Sequence, residues 1–348
     1  MSVPARIQRL LVKRWFLLAL LVLVPFGMWL GSGDHLPGVE SVILQIKPSL
    51  ITIFVLFVMA FSLDSSHLTA AFRDPAPVVW ATVVNFGLLP LIAWPIARVQ
   101  TLADFQIGLS IAASVPCTLA AASVWTRKAN GNDAISMLVT VLTNLTCFII
   151  TPLWLNLLTA EDVSLDATEM MTRLIQTAVL PIAAGQALRQ IPAYGRWATR
   201  MKTPLGVFAQ AAVLLLVVFA STKAGQTLAG PQSLPDAMAL VLVWLSCVAV
   251  HLLAMGAAIA GSRSFGFSPQ DVAAVAFSSS QKTLPIGLLI ATDPTFFGAT
   301  APYAVFPMLL FHFSQLFIDT TIADRFADRM VSASGTIPES RETADDLQ

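Results

Sequence analysis

A polar island within one apolar stretch carries the clearest chemical signal in this sequence. Residues 278–285, Ser-Ser-Ser-Gln-Lys-Thr-Leu-Pro, separate the apolar segments 272–277 and 286–291. The whole run is long enough to cross a bilayer, and Lys282 falls about 20 Å along the predicted helix. A charged side chain at that depth costs at least about 2.5–3.5 kcal/mol, so it usually has a partner and a function. A broken, polar helix near the midplane is typical of a transporter binding site.

The composition of the chain sets the environment of this island. Hydrophobic residues make up 56% and charged residues 11% of the chain, whereas a soluble domain has about 25% charged residues. We therefore predict an all-α polytopic membrane protein surrounded by membrane lipid. The net charge is zero, which gives no indication of a nucleic-acid partner.

Ten apolar segments of the chain are each long enough to cross a membrane. A helix of about 20 residues crosses roughly 30 Å of hydrocarbon. The predicted spans cover residues 15–32, 43–63, 77–97, 105–126, 133–158, 171–188, 204–222, 236–261, 269–291 and 300–322.

The ten spans divide into two halves of five. Because five is odd, the halves have opposite topology, as inverted repeats do. The fourth span of each half carries a helix-breaking proline, Pro116 or Pro285, which frees backbone carbonyls that need partners. The predicted organisation is a cytoplasmic segment at 1–14, repeats at 15–158 and 159–322, and a disordered cytoplasmic tail at 323–348.

Lysine and arginine residues indicate the orientation of the spans. With a cytoplasmic N-terminus, fifteen of the 20 Lys and Arg residues fall on the cytoplasmic side, four on the opposite side and Lys282 within the membrane. An excess on the cytoplasmic side is the expected pattern. We therefore predict a multi-pass protein of the plasma membrane or the bacterial inner membrane, with both termini cytoplasmic.

Other kinds of chemistry find no support in the sequence. There is no Walker loop, no Gly-x-Ser-x-Gly motif and no pair of intramembrane aspartates, so we expect no enzyme. No metal-binding signature is present, and the cysteines are interpreted as small packing residues. The histidines are scattered along the chain, at His35, His67, His251 and His312.

Three stretches of the chain resemble the bile acid:sodium symporter superfamily, in its divergent SBF-like branch. They are residues 54–64 with 73–75, residues 114–152, and residues 272–290 with the Gln-Lys-Thr core. This resemblance implies ten helices arranged in a core domain and a panel domain. It also implies that helices 4 and 9 are unwound and cross at the centre.

The resemblance further implies a cation site beside the crossing. In the sodium-coupled branch two sodium ions lie there, so sodium is the only cofactor we expect. The family's helix-9 glutamate falls on Phe277, so that carboxylate is missing and the implied cage is neutral and weaker. The positions that match the family's ligands and keep an oxygen are Asn85, Ser123, Ser136, Thr140 and Gln281.

Lys282 leaves several interpretations open. Its ammonium could replace a bound cation, with its three donors meeting hydroxyl, amide and carbonyl oxygens. It could release its proton and couple transport to protons, or stay charged and bind an anionic substrate. It could also be a structural clamp on the broken helix. Residues that could line a substrate path are Thr118, Asn144, His251 and Thr283.

The other candidate residues could also have purely structural roles. The hydroxyls of Ser136 and Thr140 could simply bond the preceding helical turn. Asn85 could make a polar contact near the crossing without binding a cation. His251 could be a core histidine.

The expected function is secondary transport of a small organic anion or amphipathic organic solute by alternating access, coupled to sodium or protons. The anion is favoured because Lys282 is present where the glutamate is missing. One alternative is a membrane regulatory protein that does not transport. A cation/proton antiporter ranks lower, since Asp64 lies at a span end and no acid is placed mid-span.

Overall fold

The computed structural model describes residues 3–33, 35–64, 74–159, 166–230, 235–297 and 301–333. Within these ranges all regular secondary structure is helical. The helices are α1 (Val3–Gly31), α2 (Pro37–Leu44), α3 (Pro48–Ser62), α4 (Ala76–Arg98), α5 (Ala103–Ser114), α6 (Ala121–Lys128), α7 (Asp133–Thr159), α8 (167–190), α9 (Pro192–Arg200), α10 (Lys202–Ala229), α11 (Ala237–Ser264), α12 (Pro269–Ser280), α13 (Leu284–Thr292) and α14 (Val305–Ala333).

Several helices are long and apolar enough to cross a membrane. In the described part of the chain, α4, α7, α10, α11 and the helix that includes α14 meet this requirement. The pair α2–α3, bent by 64°, gives a sixth candidate if it forms one span. The protein is therefore an all-helical, multi-pass membrane protein.

The ten predicted spans coincide with helices or helix pairs. The ends differ, because α1 already begins at Val3, with Pro4 in its first turn, where proline is tolerated. Helix α14 continues to Ala333, since Phe326 and Met330 pack on the cluster around Phe277. Residues 3–14 and 323–333 are thus helical, and the tail from 334 onward lies outside the described residues. The short helix α9 was not predicted.

The helices pack in two groups. The smaller group consists of α1, α3, α8 and α10, which are joined by α1–α10, α3–α8 and α3–α10 contacts, while α4–α7 pack with α11–α14. The groups are linked by contacts of α13, the second half of the interrupted pair, with α3 and α10, and by contacts of α8 with α7. This grouping places the two helix interruptions within the larger group. The inverted-repeat topology with ten crossings stays a prediction.

Helices α1 and α10 approach each other closely at glycines. A Cβ atom at Gly225 would collide with the Met28 carbonyl oxygen, and one at Gly31 would collide with the Thr222 carbonyl oxygen. Small residues at such contacts let the backbones of membrane helices pack directly. The α1–α10 pairing therefore depends on Gly31 and Gly225.

We expect Gly225→Val to lower the free energy of unfolding by about 1–3 kcal/mol, the usual cost of overpacking. Gly206→Val is the matched control on the same helix, since a Cβ atom there meets nothing within 4 Å. Thermal unfolding of both variants in the same detergent provides the measurement. Equal melting temperatures would contradict the close α1–α10 contact.

Candidate functional site

The two helix interruptions touch each other inside the larger group of helices. Residues 115–120 separate α5 from α6, and residues 281–283 separate α12 from α13. The Thr283 N–H donates a hydrogen bond to the Pro116 carbonyl at 2.9 Å. Pro285 lies in the first turn of α13, where its missing N–H costs no helical hydrogen bond.

The ammonium of Lys282 lies at this contact and is fully buried. Its Nζ donates to the Asn85 carbonyl at 2.7 Å, to Asn85 Oδ1 at 3.2 Å and to the Val115 carbonyl at 2.8 Å. It also lies 5.6 Å from the centre of the Phe86 ring. The three contacts use all three N–H donors of the ammonium. In this conformation Lys282 therefore has no donor left for a solute.

A π-helical turn in α4 supplies part of this cage. The turn spans Val84–Leu88 and contains Asn85; π turns in α-helices occur frequently at functional sites. The Asn85 Nδ2 atom lies 3.1–3.2 Å from the carbonyl oxygens of Ser278, Ser279 and Gln281. Asn85 thus holds the end of α12 with its nitrogen and Lys282 with its oxygen. That oxygen is already occupied by a donor.

Gln315 on α14 satisfies the backbone of the second interruption. Its Oε1 accepts from the Lys282 N–H, and its Nε2 donates to the Lys282 carbonyl, both at 2.9 Å. The same Nε2 lies 2.8 Å from His312 Nδ1. Gln315 was not among the residues predicted from the sequence, although an amide inside the apolar tenth span was a usable signal.

A buried acid lies next to the second interruption, whereas the sequence predicted no acid in the middle of a span. Asp319 lies well inside α14, because this helix continues past the predicted end at 322. Its Oδ1 is 2.9 Å from His251 Nε2, and its Oδ2 accepts from Gln281 Nε2 at 2.5 Å. A carboxyl group is therefore present beside the second interruption, although Phe277 occupies the position of the family's glutamate.

The hydrogen bonds of His251 fix the proton content of this pair. His251 Nδ1 lies 3.2 Å from the Ser280 carbonyl oxygen, which can only accept, and Nε2 faces the Asp319 carboxyl. A neutral imidazole has a single N–H. Both hydrogen bonds therefore require either an imidazolium with a carboxylate or a neutral ring with a protonated carboxyl. In both cases the pair is neutral as a unit.

The remaining predicted cation ligands lie on α6, α7 and the second interruption. Thr140 Oγ1 donates to the Thr118 carbonyl at 3.3 Å, and Asn144 Nδ2 donates to the Cys117 carbonyl at 2.7 Å. These bonds hold α7 against the first interruption. Buried oxygens without a hydrogen-bond partner in the described part of the chain include Ser123 Oγ, Ser136 Oγ, Asn144 Oδ1 and Gln281 Oε1.

These unpartnered oxygens are compatible with a bound sodium ion. Buried polar atoms almost always have a partner, so each of these four oxygens needs an explanation. All four are neutral hydroxyl or amide oxygens, which suit a hard monovalent cation. No group of three or more His, Cys, Asp or Glu side chains suited to a metal occurs in the described ranges.

The fold and this site define a multi-pass membrane transporter built around two touching helix interruptions. Residues 14–328 match the sequence profile of the SBF-like CPA transporter family, and the chain belongs to that family. This confirms the resemblance inferred from the sequence. Membership in a transporter family implies a role other than catalysis.

Three relatives match this chain at low sequence identity. Sodium/bile acid cotransporter 7 from Rattus norvegicus is 23% identical over 342 residues, covering 95% of this chain and 97% of the relative. The protein of the same name from Danio rerio is 23% identical over 331 residues, covering 92% and 95%. An uncharacterized protein from Pseudomonas aeruginosa is 28% identical over 260 residues, covering 74% and 77%.

Proposed function

We propose that this protein is a secondary active transporter of a small organic anion or an amphipathic organic solute with an anionic group. Ten crossings in two inverted repeats would let the smaller group of helices and the larger group move against each other. Each movement would expose the region of the two interruptions to one side of the membrane. Both termini would be cytoplasmic, in the plasma membrane or the bacterial inner membrane.

The observation that carries the proposal is the unbalanced charge of Lys282. Its partners are neutral oxygens of Asn85 and Val115, and no carboxylate in the described residues forms an ion pair with it. The nearby His251–Asp319 pair is neutral as a unit, so it leaves the ammonium uncompensated. A buried charge of this kind favours an anion close to it.

The oxygens around Lys282 Nζ are also arranged as they would be around a bound cation. Two main-chain carbonyls and one amide oxygen meet its Nζ at 2.7–3.2 Å, as they would meet a metal ion. We infer that the ammonium takes the place of one cation. A sodium ion held by Ser123, Ser136, Asn144 and Gln281 would supply coupling.

The Asp319–His251 pair supports a second candidate function, cation/proton exchange. Asp319 is fully buried within α14, and buried intramembrane acids often lie on ion and proton pathways. Cation flux in the absence of any organic solute would favour this candidate over the first.

Uptake into proteoliposomes tests the two candidates together. Purified protein would be reconstituted with sodium or proton gradients imposed separately, and a mixture of organic anions would be followed by mass spectrometry. Gradient-dependent uptake of an anion supports the first candidate. Cation flux without anion uptake supports the second. Uptake restricted to cationic solutes, or the absence of both transport and flux in correctly folded protein, would overturn the proposal.

Sodium coupling predicts a specific effect of Ser136→Ala. The variant loses an unpartnered buried hydroxyl, so we expect sodium stimulation of uptake to fall roughly tenfold, about 1.4 kcal/mol. Thr146→Ala on the same helix is the matched control, because its hydroxyl is already bonded to the Leu142 carbonyl. Sodium titrations of uptake and of thermal stability give the two readouts. An unchanged sodium response in Ser136→Ala would argue against this ion site.

A further inference from the structure

A cleft lined by arginines lies away from the helix interruptions, in the smaller group of helices. It has a volume of about 570 Å³ and lies where the chain leaves α3, where α8 ends and along α9. Its lining residues are Asp64, Arg189, Gln190, Pro192, Gly195, Arg196, Thr199 and Arg200. Three guanidinium groups and one carboxylate therefore share this space.

One of these arginines is part of the wall. Arg189 is largely buried, and it donates to the Phe61 carbonyl at 3.0 Å and to Thr199 Oγ1 at 3.1 Å. Its NH2 also lies 3.3 Å from Asp64 Oδ2. Arg189 thereby joins the end of α3 to α9, and its charge is offset by the only carboxylate in the lining.

The other two arginines supply an excess of positive charge. Arg196 and Arg200 are exposed and lie four residues apart on α9, which places them on one face of the helix. Neither has an acidic partner among the described residues. Like charges at this spacing repel each other, and an anion between them would relieve the repulsion. Paired guanidiniums suit the planar, bidentate recognition of phosphate.

The exposed side chains of the same short helix are of the types found at a membrane surface. Tyr194 and Trp197 on α9 are about half exposed, as are the flanking residues Ile191 and Met201. Tyrosine and tryptophan are enriched at the level of lipid headgroups. Helix α9 joins α10, a candidate membrane span, to α8. A phosphate in this cleft would therefore be close to the lipid headgroups.

We propose that the cleft bounded by Arg189, Arg196 and Arg200 binds the headgroup of an anionic phospholipid. The phosphate lies between Arg196 and Arg200, and the acyl chains follow the apolar surface beside Tyr194 and Trp197. Charge complementarity selects an anionic lipid over a zwitterionic one. The bound lipid fixes α9 to the smaller group of helices, whichever solute the protein moves.

Lipid retention in native mass spectrometry tests this assignment. The full-length protein would be released from mixed micelles that contain equal amounts of phosphatidylglycerol and phosphatidylcholine. For two surface arginines we expect phosphatidylglycerol to be retained roughly tenfold more than phosphatidylcholine. Arg196→Gln with Arg200→Gln should remove this preference.

Arg325→Gln with Arg329→Gln is the matched control. These residues are also exposed and four apart, on α14, but they line no part of the cleft. The control should keep the lipid preference, and thermal unfolding checks that both double variants fold. Three results would overturn the proposal: equal retention of the two lipids, a preference that survives loss of Arg196 and Arg200, or displacement of the lipid by inorganic phosphate. No gradient or solute is used, so the result is independent of transport.

Discussion

Replacement of Lys282 by methionine is expected to reduce solute uptake roughly a hundredfold, because the variant removes the buried positive charge that favours an anion close to it. The variant also leaves the carbonyls of Asn85 and Val115 without a donor. Unpaired buried acceptors cost about 1–3 kcal/mol each, and relief of the ammonium's desolvation offsets part of that cost. We therefore expect the free energy of unfolding to fall by about 1–3 kcal/mol. Proteoliposome uptake and denaturant unfolding measure the two effects.

Lys223→Met is the matched control for this experiment. Lys223 is a partly buried lysine on α10 whose Nζ donates to a single carbonyl, that of Thr292, at 3.3 Å. We expect it to change stability by about 1 kcal/mol or less. If Lys282→Met were destabilised but transported normally after correct folding, Lys282 would be only a clamp and the unbalanced charge would not serve transport.

Two replacements of Asp319 test separately its hydrogen bonds and its charge. Asp319→Ala removes both acceptors of the pair with His251 and Gln281, and breaking a buried pair in this way costs about 3–5 kcal/mol. We expect this variant to unfold at much lower temperature and to lose uptake. Asp319→Asn should retain stability, since its amide nitrogen can donate to His251 Nε2 while its oxygen accepts from Gln281. Thermal unfolding and uptake of both variants provide the measurements.

The uptake of Asp319→Asn decides between the two candidate functions. Full uptake would show that the network only positions the second interruption. A stable variant without transport would show that a charged carboxyl is required, as cation/proton exchange demands. Asp324→Ala is the control on the same helix; Asp324 is exposed and pairs with Lys128 at 2.7 Å. If Asp319→Asn were as unstable as Asp319→Ala, the hydrogen-bond arrangement deduced for His251 would be wrong.

The sequence predicted the two interruptions because their cause is local. Each has a proline within it or two residues after it, near small polar residues, and Lys282 stands out against an apolar background. The partners of Lys282 could not be predicted in the same way. Asn85 is 197 positions away along the chain, and its free carbonyl arises from a π turn that leaves no clear sequence pattern.

Asp319 was missed for a different physical reason. The tenth span was predicted from hydropathy to end at residue 322. Asp319 was therefore expected close to the water interface. The helix continues because Ile322, Phe326 and Met330 recur every four residues and pack on the cluster around Phe277. Tertiary packing thus extended the helix beyond its most apolar part. The spacing of Gln315 and Asp319, one turn apart, was the remaining signal.

The side chains that complete the second interruption impose an order on the biosynthesis of this protein. Gln315 and Asp319 belong to α14 and lie 33 and 38 positions after their partners Lys282 and Gln281. While the chain is being synthesised, residues 269–292 leave the ribosome before those partners do. The interruption therefore enters the membrane with the Lys282 N–H and carbonyl still lacking their final partners. Only the arrival of α14 completes this site, so the second interruption matures after its own residues have entered the membrane.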